Sequence, residues 1–131
     1  MSNVTECKRV LLVDDDQDVT LTITAGLQNH DFVVTAFNDP KYALSQYKPK
    51  HYDMILLDVR MPGITGFEVA KRIWAIDPDA KIAFFSAFEI YEKEARVMFK
   101  DLKTVQFIKK PITPSELARR IIENLQPVLW R

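Results

Sequence analysis

Residues 54–63 read MILLDVRMPG. Four apolar side chains in succession, Met54 to Leu57, leave no polar face, the mark of a short strand covered on both sides. The run ends in a carboxylate, Asp58, and the Pro62-Gly63 pair turns the chain soon after. A strand buried on both faces that carries an acid to its tip belongs in a sheet with helices above and below.

Four more runs share this character: Val10 to Val13, Phe32 to Phe37, Ile82 to Phe85 and Val105 to Ile108. The segments between them have helical spacing. Asp39-Pro40 is an N-cap followed by proline in the first turn, with Ala43, Leu44 and Tyr47 on one face. Phe67, Ala70 and Trp74 recur after Gly66, and Tyr91, Ala95, Met98 and Leu102 follow the fourth run. Thr113 and Glu116 form a capping box, with Pro114 as first helical residue, ahead of Leu117, Ile121 and Leu125. One segment conflicts with local rules. Val19 to Ala25, VTLTITA, alternates and is rich in β-branched residues, which is a strand pattern. We assign it to a helix, because Val19, Ile23, Gly26 and Leu27 also share a helical face and Asp16 or Asp18 can cap it. Parallel strands, moreover, need a crossover of about a dozen residues. Strict alternation of strand and helix gives an α/β fold, a parallel sheet with helices on both faces.

A chain of 131 residues can bury one core. With no linker or low-complexity stretch, the chain reads as a single domain over 1–131, its core about 8–126 and 127–131 a short tail. Basic and acidic residues number 18 each, so no net field draws nucleic acid or an anionic membrane. The single cysteine, Cys7, suits a reducing compartment, and no apolar run approaches the roughly 20 residues that cross a bilayer. A cytoplasmic protein without direct nucleic-acid contact or membrane insertion is expected. Cys7, His30 and His51 are expected at the surface, and so few scattered donors make no zinc set.

Ligands of open parallel sheets bind beyond the carboxyl ends of the strands. Those ends carry Asp14, Asp15 and Asp16; Asp58; Ser86; and Lys109 and Lys110 before Pro111. Crowded carboxylates raise one another's pKa, and a divalent cation relieves them. Oxygen ligands suit Mg²⁺, or another divalent cation such as Mn²⁺, binding one or two carboxylates together with a phosphate. An ammonium and a hydroxyl beside such a cluster can hold phosphoryl oxygens. The set reads as a place where Mg²⁺ and Lys110 hold a phosphoryl group on Asp58, the nucleophile. Taken singly, each residue has a plainer role: Asp16 and Asp18 as helix-cap acids, Asp58 in a turn, Ser86 at a strand end, Lys109 in solvent, Phe107 in the core.

Four motifs occur in order, VLLVDDDQD, MILLDVRMPGITGFEV, IAFFSA and FIKKPITPSEL, and the likeness they carry covers roughly Lys8 to Gln126. Together they resemble the receiver domain of two-component response regulators. The resemblance implies a flavodoxin-like (βα)5 fold with strand order 2-1-3-4-5. Residue by residue it implies Asp58 as phosphorylation site, with Asp15 ligating Mg²⁺ directly and Asp14 through water. The Arg60 backbone carbonyl becomes a further ligand. Lys110 becomes the phosphoryl-pairing lysine, joined to Pro111 by a cis peptide that turns it inward. Ser86 and Phe107 become the switch pair, Phe107 lacking the hydroxyl of the commoner tyrosine. Arg60 and Phe88 fall where the family tunes dephosphorylation, and DLKTVQF departs from the usual Gly- or Ala-rich lead into the fifth strand.

The implied function is a phosphoacceptor switch. Asp58 takes a phosphoryl group from a sensor histidine kinase, a histidine phosphotransfer protein or a small phosphodonor. The face of the fourth helix, fifth strand and fifth helix then changes for a downstream protein target or for homodimerisation. Such a protein catalyses its own phosphorylation and dephosphorylation and is not a turnover enzyme. With nothing after Gln126 long enough for an output domain, a stand-alone receiver is expected. The alternatives are a phosphorelay intermediate and a haloacid-dehalogenase-like phosphatase, in which Asp14-x-Asp16 would carry the nucleophile but whose cap segment is missing.

Overall fold

The structure, a computed structural model, describes residues 8–100 and 105–125. In chain order they form β1 (Lys8–Val13), α1 (Gln17–Gln28), β2 (Phe32–Phe37), α2 (Pro40–Gln46) and β3 (Met54–Asp58). There follow α3 (Gly66–Ile76), β4 (Ile82–Ser86), α4 (Glu89–Met98), β5 (Gln106–Lys109) and α5 (Pro114–Leu125). The sheet runs β2-β1-β3-β4-β5 and every pairing is parallel. The order reverses between β1 and β3, and the carboxyl ends of those two strands open a crevice there.

β3 explains its own sequence. Ile55 and Leu57 pack on one side of the sheet with Leu11, Phe67, Ile73 and Phe84. Met54 and Leu56 pack on the other with Leu12, Ile23, Leu27 and Leu117. Both faces are covered, so no position of the run is free to be polar; burying each such side chain contributes roughly 1.5–3 kcal/mol.

The helix over VTLTITA forms against its local preference because the start is well capped and one face is buried. The Asp16 carboxylate accepts from the N–H groups of Asp18 and Val19, and Thr20, Ile23 and Leu27 face the sheet. Asp39 caps α2 and Thr65 caps α3 by the same means. Two expectations change. On α4 the buried face is Ala95 and Phe99, while Met98 is exposed, because Phe99 stacks on Phe84 and meets Trp74 edge-on. At α5 only half of the capping box forms: the Thr113 hydroxyl accepts from the Glu116 N–H, but the Glu116 carboxylate turns outward to Arg119.

His30 is exposed, whereas His51 is only half-exposed, edge-on to the Tyr52 ring. Cys7, Leu102, the 101–104 lead into β5 and the tail after Leu125 lie outside the described residues. Among the described residues no helix is long and apolar enough to cross a membrane.

Candidate functional site at the strand tips

Asp14 is the first residue beyond β1 and is 1% exposed. Its N–H donates to the Phe37 carbonyl at 3.1 Å, and its Oδ1 accepts from the Asp16 N–H at 2.9 Å. Asp16, exposed like Asp15, turns away to cap α1, leaving Asp15 as the exposed acid on the Asp14 side of the loop. Asp58 ends β3 and is 7% exposed. Asp14, Asp15 and Asp58 each bring a carboxylate oxygen within 4.8 Å of the other two.

Lys110 enters from beyond β5. Its peptide bond to Pro111 is cis, and its N–H donates to the Ser86 carbonyl at 2.9 Å. The ammonium donates to Asp14 Oδ2 at 2.8 Å and to Asp58 Oδ1 at 3.3 Å, and lies 4.7 Å from the centre of the Phe85 ring. Four of the side chains named from the strand ends, Asp14, Asp15, Asp58 and Lys110, therefore meet in one place. Ser86, 3% exposed, accepts from the Phe88 N–H at 3.2 Å, so its hydroxyl sits between the acid cluster's sheet edge and the start of α4. Phe107 is buried in the core, paired in register with Phe84 and so on the face of the sheet that Ser86 shares two residues on. Arg60 and Asp15 line a cleft of about 470 Å³ with Met61, Pro62 and Thr65. The Arg60 guanidinium lies 5.8 Å from the centre of the half-exposed Phe88 ring. Asp18 is a first-turn acid of α1, and Lys109 is exposed.

Burial pushes the Asp58 carboxyl up to about 6, with Asp14 adding to the rise, Asp15 adding less, and Lys110 opposing it. Burial alone would lower the Lys110 ammonium. Its hydrogen bond to Asp14 and the charges of Asp14 and Asp58 outweigh that and hold its pKa above the ordinary value. Three carboxylates thus face one ammonium, and the shortage of positive charge is felt at Asp58. An all-oxygen donor set with unbalanced negative charge fits a small hard divalent cation.

Two supports of this site were not read from the sequence. Asn38 donates to the Asp14 carbonyl, and Gly66 lets α3 start directly against Asp58. A Cβ on Gly66 would lie 2.1 Å from the Asp58 carbonyl oxygen and 3.1 Å from Val59 Cα, both backbone atoms that cannot swing aside. Gly66→Ala is expected to cost about 2 kcal/mol in urea unfolding, the range of core overpacking. An unchanged midpoint would show that the backbone yields easily. The only local hint was a glycine at a helix start, where most residues serve better.

The family of response regulator receiver domains matches residues 10–122. The response regulator receiver protein CpdR of Brucella abortus is 35% identical over 81 residues, covering 62% of this chain and 68% of that protein. The transcriptional regulatory protein CreB of Escherichia coli is 29% identical over 119 residues, 91% of this chain and 51% of its own length. The chain therefore spans about half the length of CreB. Among solved structures, the response regulator protein TrrA of Thermotoga maritima, in complex with Mg(2+)-BeF, superposes with a TM-score of 0.77 at 27% identity, covering 89% of this chain and 98% of that one.

Proposed function

This chain belongs to the response regulator receiver domain family, and we propose that its activity is the uptake of a phosphoryl group on Asp58. The observation that carries the proposal is the meeting of Asp14, Asp15, Asp58 and Lys110 at one crevice. The ionised Asp58 attacks phosphorus in line: an oxygen–phosphorus bond forms, and the nitrogen–phosphorus bond to a phosphohistidine breaks, with imidazole leaving. Asp14, Asp15, Asp58 and the Arg60 backbone carbonyl are the groups that would hold Mg²⁺, whose chemistry is to neutralise the phosphoryl oxygens. Lys110, already between Asp14 and Asp58, supplies a second positive charge from the protein side.

Asp14 is poorly suited to be the nucleophile. One of its oxygens is engaged by the Asp16 N–H and the other by Lys110, in a side chain almost wholly buried. This favours the phosphoacceptor over a phosphatase built on Asp14.

Phosphorylation adds negative charge and acceptor oxygens at the tip of β3. Ser86 accepts from Phe88 and keeps its own O–H to donate, so it turns toward the new oxygens and frees space for Phe107. The α4, β5 and α5 face repacks, a population shift between two arrangements. Donors of the phosphoryl group are a sensor histidine kinase or a histidine phosphotransfer protein, in the cytoplasm; readers of the changed face are a downstream protein or a second copy. As a relay intermediate the chain would instead hand the group onward.

The test uses acetyl phosphate and Mg²⁺ with intact-mass detection. Wild type gains one phosphoryl group, while Asp58→Asn and wild type in chelator gain none. Equal gain by Asp58→Asn refutes the proposal. The Arg60 guanidinium lies 5.8 Å from the centre of the Phe88 ring, and we infer that this ring screens the crevice from attacking water. Phe88→Ala is expected to shorten the phosphoryl lifetime about threefold, on the order of 0.7 kcal/mol in the barrier. An unchanged or longer lifetime contradicts that shielding.

A further inference from the structure

We infer that Asn38, at the corner between β2 and α2, is a positioning residue that sets the Mg²⁺ affinity of the acid loop without touching the ion. The inference rests on the phosphoacceptor reading above. The Asn38 side-chain amide donates one hydrogen bond to the Asp14 carbonyl at 2.8 Å and another to the Thr20 hydroxyl at 3.0 Å. Thr20 is 4% exposed, and its own proton goes to the Gln17 carbonyl at 3.0 Å, so the chain of donors runs one way, from Asn38 into α1. Both amide protons of Asn38 are thus committed to acceptors on buried residues.

The bond to Asp14 fixes the plane of the peptide joining Asp14 to Asp15. The other end of Asp14 is held by the neighbouring Phe37 carbonyl, so consecutive residues of the β2 end grip residue 14 at both its N–H and its C=O. Both Asp14 carboxylate oxygens are also engaged, by Asp16 and Lys110. Asp15 differs. Its carboxylate is exposed and has no hydrogen-bonding partner among the described residues, so only the backbone aims it at the shared position. Whatever fixes that peptide fixes Asp15. Among the described side chains Asn38 is the one hydrogen-bonded to it from outside the acid cluster. The next residue, Asp39, caps α2, so the same corner ties α2 to the loop.

The test is a Mg²⁺ titration of wild type and Asn38→Ala without phosphodonor, followed by backbone amide NMR, together with phosphorylation rates against Mg²⁺ and urea unfolding in chelator. Asn38 is itself exposed, so the truncation leaves no core cavity. Losing its bond to a buried carbonyl is expected to raise the half-saturating Mg²⁺ concentration about fivefold. The maximal phosphorylation rate at saturating Mg²⁺ stays within about twofold, because the reacting groups are untouched once the ion is bound. A merely structural role would lower the unfolding midpoint and the maximal rate together, and that result overturns the inference. So does an unchanged Mg²⁺ affinity, which would mean that water replaces the amide. If wild type binds Mg²⁺ but takes up no phosphoryl group, the phosphoacceptor reading itself fails, an outcome visible before any variant is compared.

Discussion

Asp58→Asn is expected to make the metal-free protein more stable at pH 7.5, by about 2–3 kcal/mol in urea unfolding. Its carboxyl is raised from 3.8 to about 6 by burial first and by Asp14 second, and its side chain is only 10% exposed. Such a rise corresponds to about 3 kcal/mol against the ionised form at most. The sign follows from proton counting. Between pH 3.8 and 6 the folded state holds a proton that the unfolded state has lost, so wild-type stability falls as pH rises through that window. Above it the penalty is constant; below it the penalty vanishes. The difference between Asp58→Asn and wild type should therefore grow from near zero at pH 3.5 to its full value by pH 7. Millimolar Mg²⁺ should reverse the ranking in part, because a ligand of the folded state stabilises it and the carboxylate is what attracts the ion. A variant less stable than wild type at every pH would mean that Asp58 is held by favourable partners and is not crowded.

Lys110→Met should do the opposite, and by more. Methionine keeps the apolar stem against the Phe85 ring but removes the ammonium that Asp14 and Asp58 share. Asp14 is 1% exposed, and a buried charge stripped of its partner costs about 3–5 kcal/mol. Here too the pH dependence is set by the direction of the shift. The Lys110 pKa is raised in the folded protein, so its contribution is complete below the ordinary lysine value and is lost only as pH rises through the higher folded one. Without Lys110 the Asp58 carboxyl is pushed up further, so the deficit of Lys110→Met should deepen as pH climbs above 6 and shrink only in strong alkali. Added Mg²⁺ should recover more stability in this variant than in wild type, since it replaces the missing charge. Opposite signs for two neighbours that touch each other are what a cluster with too few cations requires. Equal destabilisation by both substitutions would point to an ordinary ion pair.

Much of this molecule can be read from strand tips. Met54 to Leu57 cannot tolerate a polar side chain because β3 is sandwiched, and that lone fact places Asp58 at a crevice. The same logic brings in Asp14, Asp15, Ser86 and Lys110, each the first or second polar residue after an apolar run. What escaped is of two kinds. Some positions depend on competition between neighbours. Phe99 rather than Met98 faces inward because aromatic partners on α3 and β4 await it, and Glu116 prefers Arg119 to its own helix cap. Others act through backbone atoms distant in sequence. Gly66 matters for a carbonyl eight residues earlier, and Asn38 for one twenty-four residues earlier, neither of which leaves a local pattern. The inward side of Phe107 was open in the sequence, since a four-residue strand is too short for alternation to decide, and register with β4 settles it.

The central claim is that phosphorus becomes bonded to an oxygen of residue 58 and to no other acid of the cluster. Reducing the phosphorylated protein with borohydride turns an aspartyl phosphate into homoserine, which peptide mass mapping then locates. The expected result is homoserine at position 58, dependent on Mg²⁺ during phosphorylation, with Asp14 and Asp15 intact. Homoserine at position 14 or 15, or its absence from protein that has taken up phosphate, would contradict it.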